Sequence, residues 1–539
     1  MAKLTDLPAD LVHKIIAHLI DHRPQTEKAH YNLDHDEIGP NPAKRTRPHL
    51  ELKETCRRHC HSFVAGAQIP QYPLEVSWQE GLPTNPLLPL TLVNHTFRQC
   101  AQQALFKNVA LGTQWQAYLF LRALTCTTTH DESTLSATGR VPSTVTDHPL
   151  KVLALHVRSL QFNWRGPASM GKGGGSLICD IIRTCPVLEN LAISTTLLRP
   201  CKEPLLEALA GRQFLREFVV LRNPYYYGDL HLQWQVDEVL ARLCSGWKHL
   251  ETIELHKLAG HEPHKSLPSN PINSIPTMNC ALKTLILERC DLNDREISWI
   301  LESSRESMRT LKIIEPTQKL SRPGLCRILK DCTSPNLEIL KISISTEWHV
   351  IYPSEYVEGS DDPATNRGLL DVVFKTSSAL RKLKSLSIDG SLIGVELFTL
   401  LPPSIVKFDW GDHEMDGSAF ARALSNSDST AQCLPNLECF SIRNFSDWAE
   451  QDRHVIRTTL MARGVCFHTT GGKDFCKDEE AYYRGGSDGS ENLSGSADSL
   501  SSAMSPITDP RTRPGERYPE PSEWGSDYSY VSSTASWFF

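Results

Sequence analysis

The sequence has no long apolar run and no cysteine pair of the Cys-x-x-Cys type, and these absences restrict the class of protein. No apolar stretch approaches the roughly 18 residues that a membrane span needs. The residues after Met1 do not resemble a secretory signal. The 16 cysteines are scattered, so we expect reduced thiols, many of them in the core. The sequence therefore predicts a soluble intracellular protein, in the cytoplasm, the nucleus or both.

A strong excess of charge of one sign is also missing. The net charge of −7 is mild for a chain of 539 residues. A general binder of nucleic acid or of acidic membranes would be expected to carry a basic face. We therefore expect neither nucleic acid nor a membrane among the partners. The short basic run 44–47 is only a weak indication of nuclear import.

Motifs with a known catalytic meaning, such as Gly-x-Ser-x-Gly or His-Glu-x-x-His, are absent from the sequence. The nearest approach is the segment 166–173, which fits the phosphate-loop pattern Gly-x-x-x-x-Gly-Lys. Gly173 stands where that pattern needs a Ser or Thr hydroxyl for magnesium, and Pro167 removes one N–H donor. A flexible loop is the favoured interpretation over a nucleotide site. We expect no enzyme activity and no cofactor.

A metal site is the second alternative, in a polar stretch near the N-terminus. Cys56, His59, Cys60 and His61 supply soft and imidazole ligands in close succession. A zinc site usually needs four ligands in two well-spaced pairs, and no second pair with a matching spacing follows. Scattered histidines in a polar loop are favoured, so we expect no bound metal here.

A short phrase, apolar-x-x-Leu-x-apolar, recurs down the middle of the chain. Its alternation of apolar and polar residues is typical of a short strand. Helix-like stretches such as 177–182 and 236–243 lie between the phrases. Such strand–helix units bury their apolar side by stacking on one another, which predicts a leucine-rich solenoid. The phrases occupy 188–193, 215–220, 250–255, 282–287, 308–313, 337–342, 383–388, 405–410 and 437–442, after a weaker copy at 157–162.

Composition divides the chain into zones. We expect a helical domain at 1–113, interrupted by a polar insert at about 23–86, then a linker at 114–148 and repeats at 149–470. The tail, 471–539, is rich in Gly, Ser, Asp and Pro and is expected to be disordered. Its aromatic end, which includes Trp537 and Phe539, either docks weakly on the solenoid or forms a short partner-binding motif.

The N-terminal zone begins with an amphipathic helix. Asp6 is placed to cap it, and Pro8 falls in the first turn, where its missing N–H costs nothing. Apolar residues from Leu7 to Leu19 then recur at intervals of three and four. Two further apolar stretches follow, at 87–98 and 100–111.

These three elements resemble the F-box. That family combines Leu-Pro and an apolar helix with a Leu-x-x-Val-Asn/Cys-x-x-Phe/Trp-Arg helix and a final helix that closes with Leu-Phe-x-x-Val-x-Leu. In this sequence these elements resemble Leu7-Pro8, 90–98 and 105–111. The resemblance covers 4–22 and 87–111, and residues 23–86 intrude between its parts. With the repeats, the chain resembles F-box and leucine-rich-repeat proteins of the fungal type. The expected fold is α/β: a short all-α three-helix unit, an irregular leucine-rich solenoid and a disordered tail.

The resemblance implies a substrate receptor of a cullin–RING ubiquitin ligase. The helices would bind a Skp-type adaptor, and the repeats would hold a protein substrate of unknown identity. The alternative is a leucine-rich scaffold that binds partners without ubiquitination. The residues that the resemblance carries over as adaptor-binding are Leu7, Pro8, Leu11, Ile15, Ile16, Leu92, Val93 and Phe97.

The substrate would bind to the side chains that alternate with the apolar positions of the strands. These side chains point away from the core, and as a set they are the best candidate for a protein-binding surface. An ordinary solvated face is the competing interpretation for any one of them. The candidate substrate-binding residues are Glu254, His256, Glu288, Lys312, Lys341, Asp389, Lys407 and Arg443.

Overall fold

The computed structural model describes most of residues 87–470 and one earlier segment. All of the described residues belong to one compact unit, Met1–Cys476. The described ranges are 7–21, 87–125, 151–162, 174–194, 201–221, 234–261, 278–351, 357, 359–376, 380–411, 417–425, 433–443 and 448–470.

A single parallel sheet organises these residues. Its twelve strands are arranged in the order in which they occur along the chain. The strands are β1 (Asn108–Leu111), β2 (Ser159–Phe162), β3 (Asn190–Ser194), β4 (Glu217–Leu221), β5 (Thr252–His256), β6 (Thr284–Glu288), β7 (Thr310–Ile314), β8 (Ile339–Ser343), β9 (Ser385–Asp389), β10 (Lys407–Trp410), β11 (Cys439–Arg443) and β12 (Cys466–Thr470).

The ten apolar phrases of the sequence coincide with strands β2 to β11. In β7, for example, Leu311 and Ile313 are buried, while Lys312 between them is half-buried on the opposite side. This alternation follows from the pleat, because successive side chains of a strand point to opposite faces. The two-residue period was therefore a sufficient signal for these strands.

Helices fill the crossovers between most of the strands. From α4 onward, most consecutive helices contact one another. Helices α8 and α10 continue as short π-helices, Leu240–Cys244 and Ile328–Cys332. The helices are α1 (Ala9–Asp21), α2 (Leu87–Leu90), α3 (His95–Lys107), α4 (Gln114–Thr125), α5 (Lys151–His156), α6 (Gly175–Thr184), α7 (Lys202–Ala210), α8 (Val236–Val239), α9 (Asp294–Glu302), α10 (Arg322–Arg327), α11 (Leu369–Thr376), α12 (Leu397–Leu400), α13 (Ser418–Ser425) and α14 (Glu450–Ala462).

One continuous apolar core joins these helices to the sheet. It runs from Leu111 to Val465, and register partners on neighbouring strands stack within it, as Leu285, Leu311 and Leu340 do. Burying each such side chain contributes roughly 1.5–3 kcal/mol before the entropy of ordering is counted. Each strand is therefore held mainly by its two neighbours and by the helices beside it.

The prediction of a separate all-α unit of three helices ahead of a solenoid is wrong. The described residues form a 12-stranded parallel sheet with alternating helices, an α/β arrangement. The segment 105–111, expected as the third helix, instead ends α3 at Lys107 and then forms β1. Strand β1 pairs with β2, so this segment belongs to the sheet.

The second expected helix, 90–98, is also divided. Helix α2 ends at Leu90, and the Asn94 side chain accepts a hydrogen bond of 2.8 Å from the Phe97 N–H, which starts α3. A short polar side chain at this position is a strong helix start signal. Residues 114–125, which the sequence placed in a linker, form α4. The predicted insert, 23–86, and the tail, 471–539, lie outside the described residues.

No helix within the described ranges is both long enough and apolar enough to cross a lipid bilayer.

Candidate functional site

The side chains that face away from the apolar core form one polar face of the sheet. Strand register places Glu254, Lys312 and Lys341 in a single row across this face, with Ile286 between the first two. The row continues through Ser387 to Asp409. Three of the predicted substrate-binding residues therefore occupy equivalent positions on neighbouring strands. We call this set of residues the central row.

A second row lies one step nearer the carboxyl ends of the strands. It contains His256, Glu288, Ser343 and Asp389, with Ile314 between the second and third. His256 Nδ1 lies 3.5 Å from Glu288 Oε1, and the His256 side chain is almost fully buried. The Ser343 hydroxyl donates to Asp389 Oδ2 over 3.2 Å. The predicted residues in this row thus contact partners on the same face.

The remaining two predicted residues lie at the C-terminal end of the sheet. Lys407 starts β10 beside Ser385 and Cys439, and the alternation of β10 places it on the same face as Asp409. Arg443 ends β11, where its backbone is in register with Thr470. The other seven candidates therefore fall on one face, although they extend over six strands, from β5 to β10.

Charge is unevenly distributed along the polar face. Lys312 and Lys341 are direct neighbours on β7 and β8, strands that lie about 4.8 Å apart. Acidic residues flank them, with Glu254 and Glu288 on the β5–β6 side and Asp389 and Asp409 on the β9–β10 side. The pair of lysines therefore lies between two groups of carboxylates on the polar face. The arrangement suits recognition of a charged peptide segment.

A ladder of charged residues at the amino ends of the strands was missed by the sequence analysis. Arg216 Nη2 lies 2.7 Å from Glu251 Oε1, and Lys283 Nζ lies 3.3 Å from Glu251 Oε2. Lys384 Nζ lies 3.0 Å from Glu338 Oε2. The residues of this charged ladder are Arg158, Glu189, Arg216, Glu251, Lys283, Arg309, Glu338 and Lys384.

The ladder has a signal in the sequence, because its members occupy the second position of successive apolar phrases. The backbone uses the same positions: the Arg158 carbonyl accepts from the N–H groups of both Glu189 and Asn190, and this pattern recurs from strand to strand. Half-exposed ion pairs contribute little stability each. The recurring backbone hydrogen bonds at the same positions accompany a constant register between strands, which aligns the rows of the polar face.

Two buried titratable groups support the crossovers behind β8 and β9. Arg322 donates to the carbonyl oxygens of Pro363, Asn366, Arg367 and Ser391, and burial lowers the pKa of its guanidinium to about 10. These contacts hold the segment 363–367 against α10. They position the scaffold and do not reach the polar face.

Asp371 is the second buried group. It accepts from the N–H groups of Gly394 and Glu396, and burial raises the pKa of its carboxyl to about 6. Gly394 lies so close to this carboxylate that a side chain there would clash with it. The pair fixes the connection between α11 and α12.

The N-terminal helices form a second, smaller apolar cluster. Helix α1 contributes Val12 and Ile16, and α3 contributes Phe97, Cys100 and Ala101, with Leu87 between them. Of the predicted adaptor-binding residues, Ile16 and Phe97 are buried in this cluster and Leu7 and Ile15 pack against it. The exposed ones are Pro8, Leu11, Leu92 and Val93.

The two alternatives that the sequence raised for bound ligands lie outside the described residues. Neither the cysteine–histidine stretch 56–61 nor the loop 166–173 is described in full. Eleven of the twelve described cysteines are thiols, as expected, whereas Cys466 is disulfide-bonded. Three metal-ligating side chains do meet elsewhere, on β11 and β12: Cys439, Cys466 and His468.

Comparison with known proteins gives no match: no family model fits the chain, and no curated protein resembles it significantly. The resemblance to the F-box family therefore rests on the motif residues themselves, and the function has to be argued from the surfaces of the molecule.

Proposed function

We propose that the protein is a substrate receptor of a Skp–cullin–F-box type ubiquitin ligase. Helices α1 and α3 would bind a Skp-type adaptor, and through it a cullin–RING ligase. The polar face of the sheet would bind a protein substrate. The observation that supports this proposal is a set of exposed apolar residues on α1 and on the turn before α3, within the described part of the chain.

Helix α1 is more apolar than its buried side requires. Val12 and Ile16, four residues apart, face the small cluster. Leu11, Ile15 and Leu19 recur at the same spacing of four residues, and Leu11 and Ile15 each precede a buried residue by one position, about 100° around the helix. Leu11 is 43% exposed and Leu19 is 41% exposed. A second apolar stripe open to water is typical of a helix that docks on a partner.

The turn before α3 adds apolar surface. Leu92 is 73% exposed and Val93 is 40% exposed, and this turn lies at the start of the helix on which α1 packs. Covering one such side chain at an interface contributes roughly 1.5–3 kcal/mol. A few of them are enough to make micromolar binding depend on this surface.

The polar face supports the substrate-binding part of the proposal. It places Lys312 and Lys341 side by side between acidic residues, so it offers charge complementarity to a segment of mixed charge. A receptor of this kind does no chemistry itself. Its contribution is to raise the effective concentration of a substrate lysine near the conjugating enzyme.

The adaptor-binding part is tested with the full-length chain and a purified Skp-type adaptor. Leu11→Ala combined with Leu92→Ala is expected to weaken the complex by at least about 30-fold, because two exposed apolar contacts are lost. Isothermal calorimetry measures the dissociation constant. Neither side chain belongs to the buried cluster, so circular dichroism of the variant is expected to match that of the parent chain.

The matched control is Val395→Ala beside Val93→Ala. Val395 is 51% exposed but lies among the residues of the sheet region. Only Val93→Ala is expected to weaken adaptor binding. Equal affinities for all variants, or no complex with a folded chain, would reject the ligase role and leave a protein-binding scaffold. Lys312→Glu with Lys341→Glu is expected to keep adaptor binding and to lose substrate capture.

A further inference from the structure

Three metal-ligating side chains converge on the last two strands of the sheet. Cys439 on β11 and Cys466 and His468 on β12 bring their ligand atoms within 4.8 Å of one another. Cys439 is buried, and the other two are half-buried. Two sulfurs and one imidazole nitrogen form the type of donor set that zinc prefers.

Strand register explains why these three side chains meet. Cys439 is the register partner of Cys466, and Ser441 is the partner of His468. Cys466 and His468 are two residues apart on one strand, so they share a face. On the opposite face, Phe440 and Phe467 stack with ring centroids 5.7 Å apart and nearly parallel planes. The ring pair in the core therefore helps to hold the three ligands in register.

We propose that Cys439, Cys466 and His468 bind one zinc ion, with solvent in the fourth position. Tetrahedral bonds of about 2.0–2.3 Å place neighbouring ligand atoms roughly 3.6–3.8 Å apart. Zinc binding would bring the three ligand atoms from their present spacing, within 4.8 Å of one another, to this shorter distance. The ion would link β11 to β12, the last strand of the sheet.

The site depends on the redox state of the chain, because Cys466 is disulfide-bonded in this structure. A dithiol reductant transfers two electrons and two protons to that bond, which gives two thiols, and the dithiol itself becomes a disulfide. Zinc binding then displaces the thiol protons of Cys439 and Cys466 into solvent. We therefore assign the zinc site to the reduced protein. In the reverse step a disulfide oxidant accepts two electrons and becomes a dithiol, the disulfide of Cys466 forms again, and the ion is released.

The test uses the full-length chain, reduced with a phosphine so that no added thiol competes for the metal. Elemental analysis after dialysis against zinc is expected to find one ion per chain bound at these ligands. Cobalt in place of zinc is expected to give the visible absorption of a tetrahedral thiolate site. Cys439→Ser and His468→Gln are each expected to weaken zinc binding by at least about 100-fold, because even residues that only support a ligand contribute 10–100-fold.

Two controls show which side chains bind the ion and whether the variants remain folded. Cys433→Ser alters a cysteine whose thiol donates to the Phe398 carbonyl, and it is expected to retain zinc. His468→Gln alters a half-buried side chain, and circular dichroism is expected to match that of the parent chain. Absence of stoichiometric zinc in the reduced protein would overturn the proposal. So would zinc that persists in both Cys439→Ser and His468→Gln but disappears in Cys56→Ser with Cys60→Ser.

Discussion

The N-terminal helices and the sheet solve the problem of burying apolar surface in different ways. The sheet repeats a unit, so its core runs without interruption from Leu111 to Val465. Among the described residues, the N-terminal cluster contains six buried ones, and Leu11 and Leu92 are exposed. In a repeated array, each unit covers the apolar side of the unit before it. The unit at the end of the array has no further unit to cover its apolar side. The difference shows where the described residues leave apolar surface exposed.

The largest effects are expected from truncating one aromatic residue in each region. Phe408→Ala in the sheet core should cost about 3–5 kcal/mol of unfolding free energy, because it leaves a cavity among packed rings. Phe97→Ala should instead release α1 and leave the main unfolding transition in place. Urea unfolding followed by fluorescence and by circular dichroism measures both. Equal losses in the main transition would show that the two regions unfold as one.

A pH dependence of stability below neutral pH is expected from Asp371 in the sheet region. Burial raises the pKa of Asp371 from 3.8 to about 6, so the folded state favours the protonated carboxyl. The stability that this gives is fully present below about pH 4 and is lost as the pH rises through about 6. The loss at neutral pH is at most about 3 kcal/mol.

Comparison with Asp371→Asn isolates this group from the other titrating side chains. The unfolding free energy of the parent chain should fall relative to the variant between pH 4 and pH 7. A difference between the two proteins that stays constant over this range would contradict the assignment.

The smallest effect is expected at the charged ladder. Glu251→Lys places a third cation between Arg216 and Lys283 and should cost about 1 kcal/mol at low salt. Glu251→Gln should cost about half as much, since it removes attraction without adding repulsion. Thermal unfolding at low and high ionic strength measures the difference, which salt should largely remove. A cost that salt does not change would mean that packing, and not charge, is responsible.

The strands could be predicted from the sequence because alternation is a local property. Lys312 between Leu311 and Ile313 indicates a half-buried strand without knowledge of its neighbours. The same pattern placed the seven substrate-face candidates from Glu254 to Lys407 on one side. The contact between His256 and Glu288 could not be predicted from a local pattern. It depends on the register between two strands, and the two residues lie 32 positions apart.

The N-terminal segment shows where local patterns fail. The run 105–111 is short and apolar, and such a run is compatible with either a helix or a strand. The end of this run forms a strand because Val109 pairs with Leu160, a residue that is distant in the sequence. The grouping of Cys439, Cys466 and His468 was hidden for the same reason, because no short motif contains it.

The most direct test of the uncovered surface on α1 is amide hydrogen exchange of the full-length chain with and without the Skp-type adaptor. The account predicts added protection in α1 and in the turn 91–94, with little change in strands β5–β8. Protection confined to the sheet, or none in α1 at saturating adaptor, would contradict it.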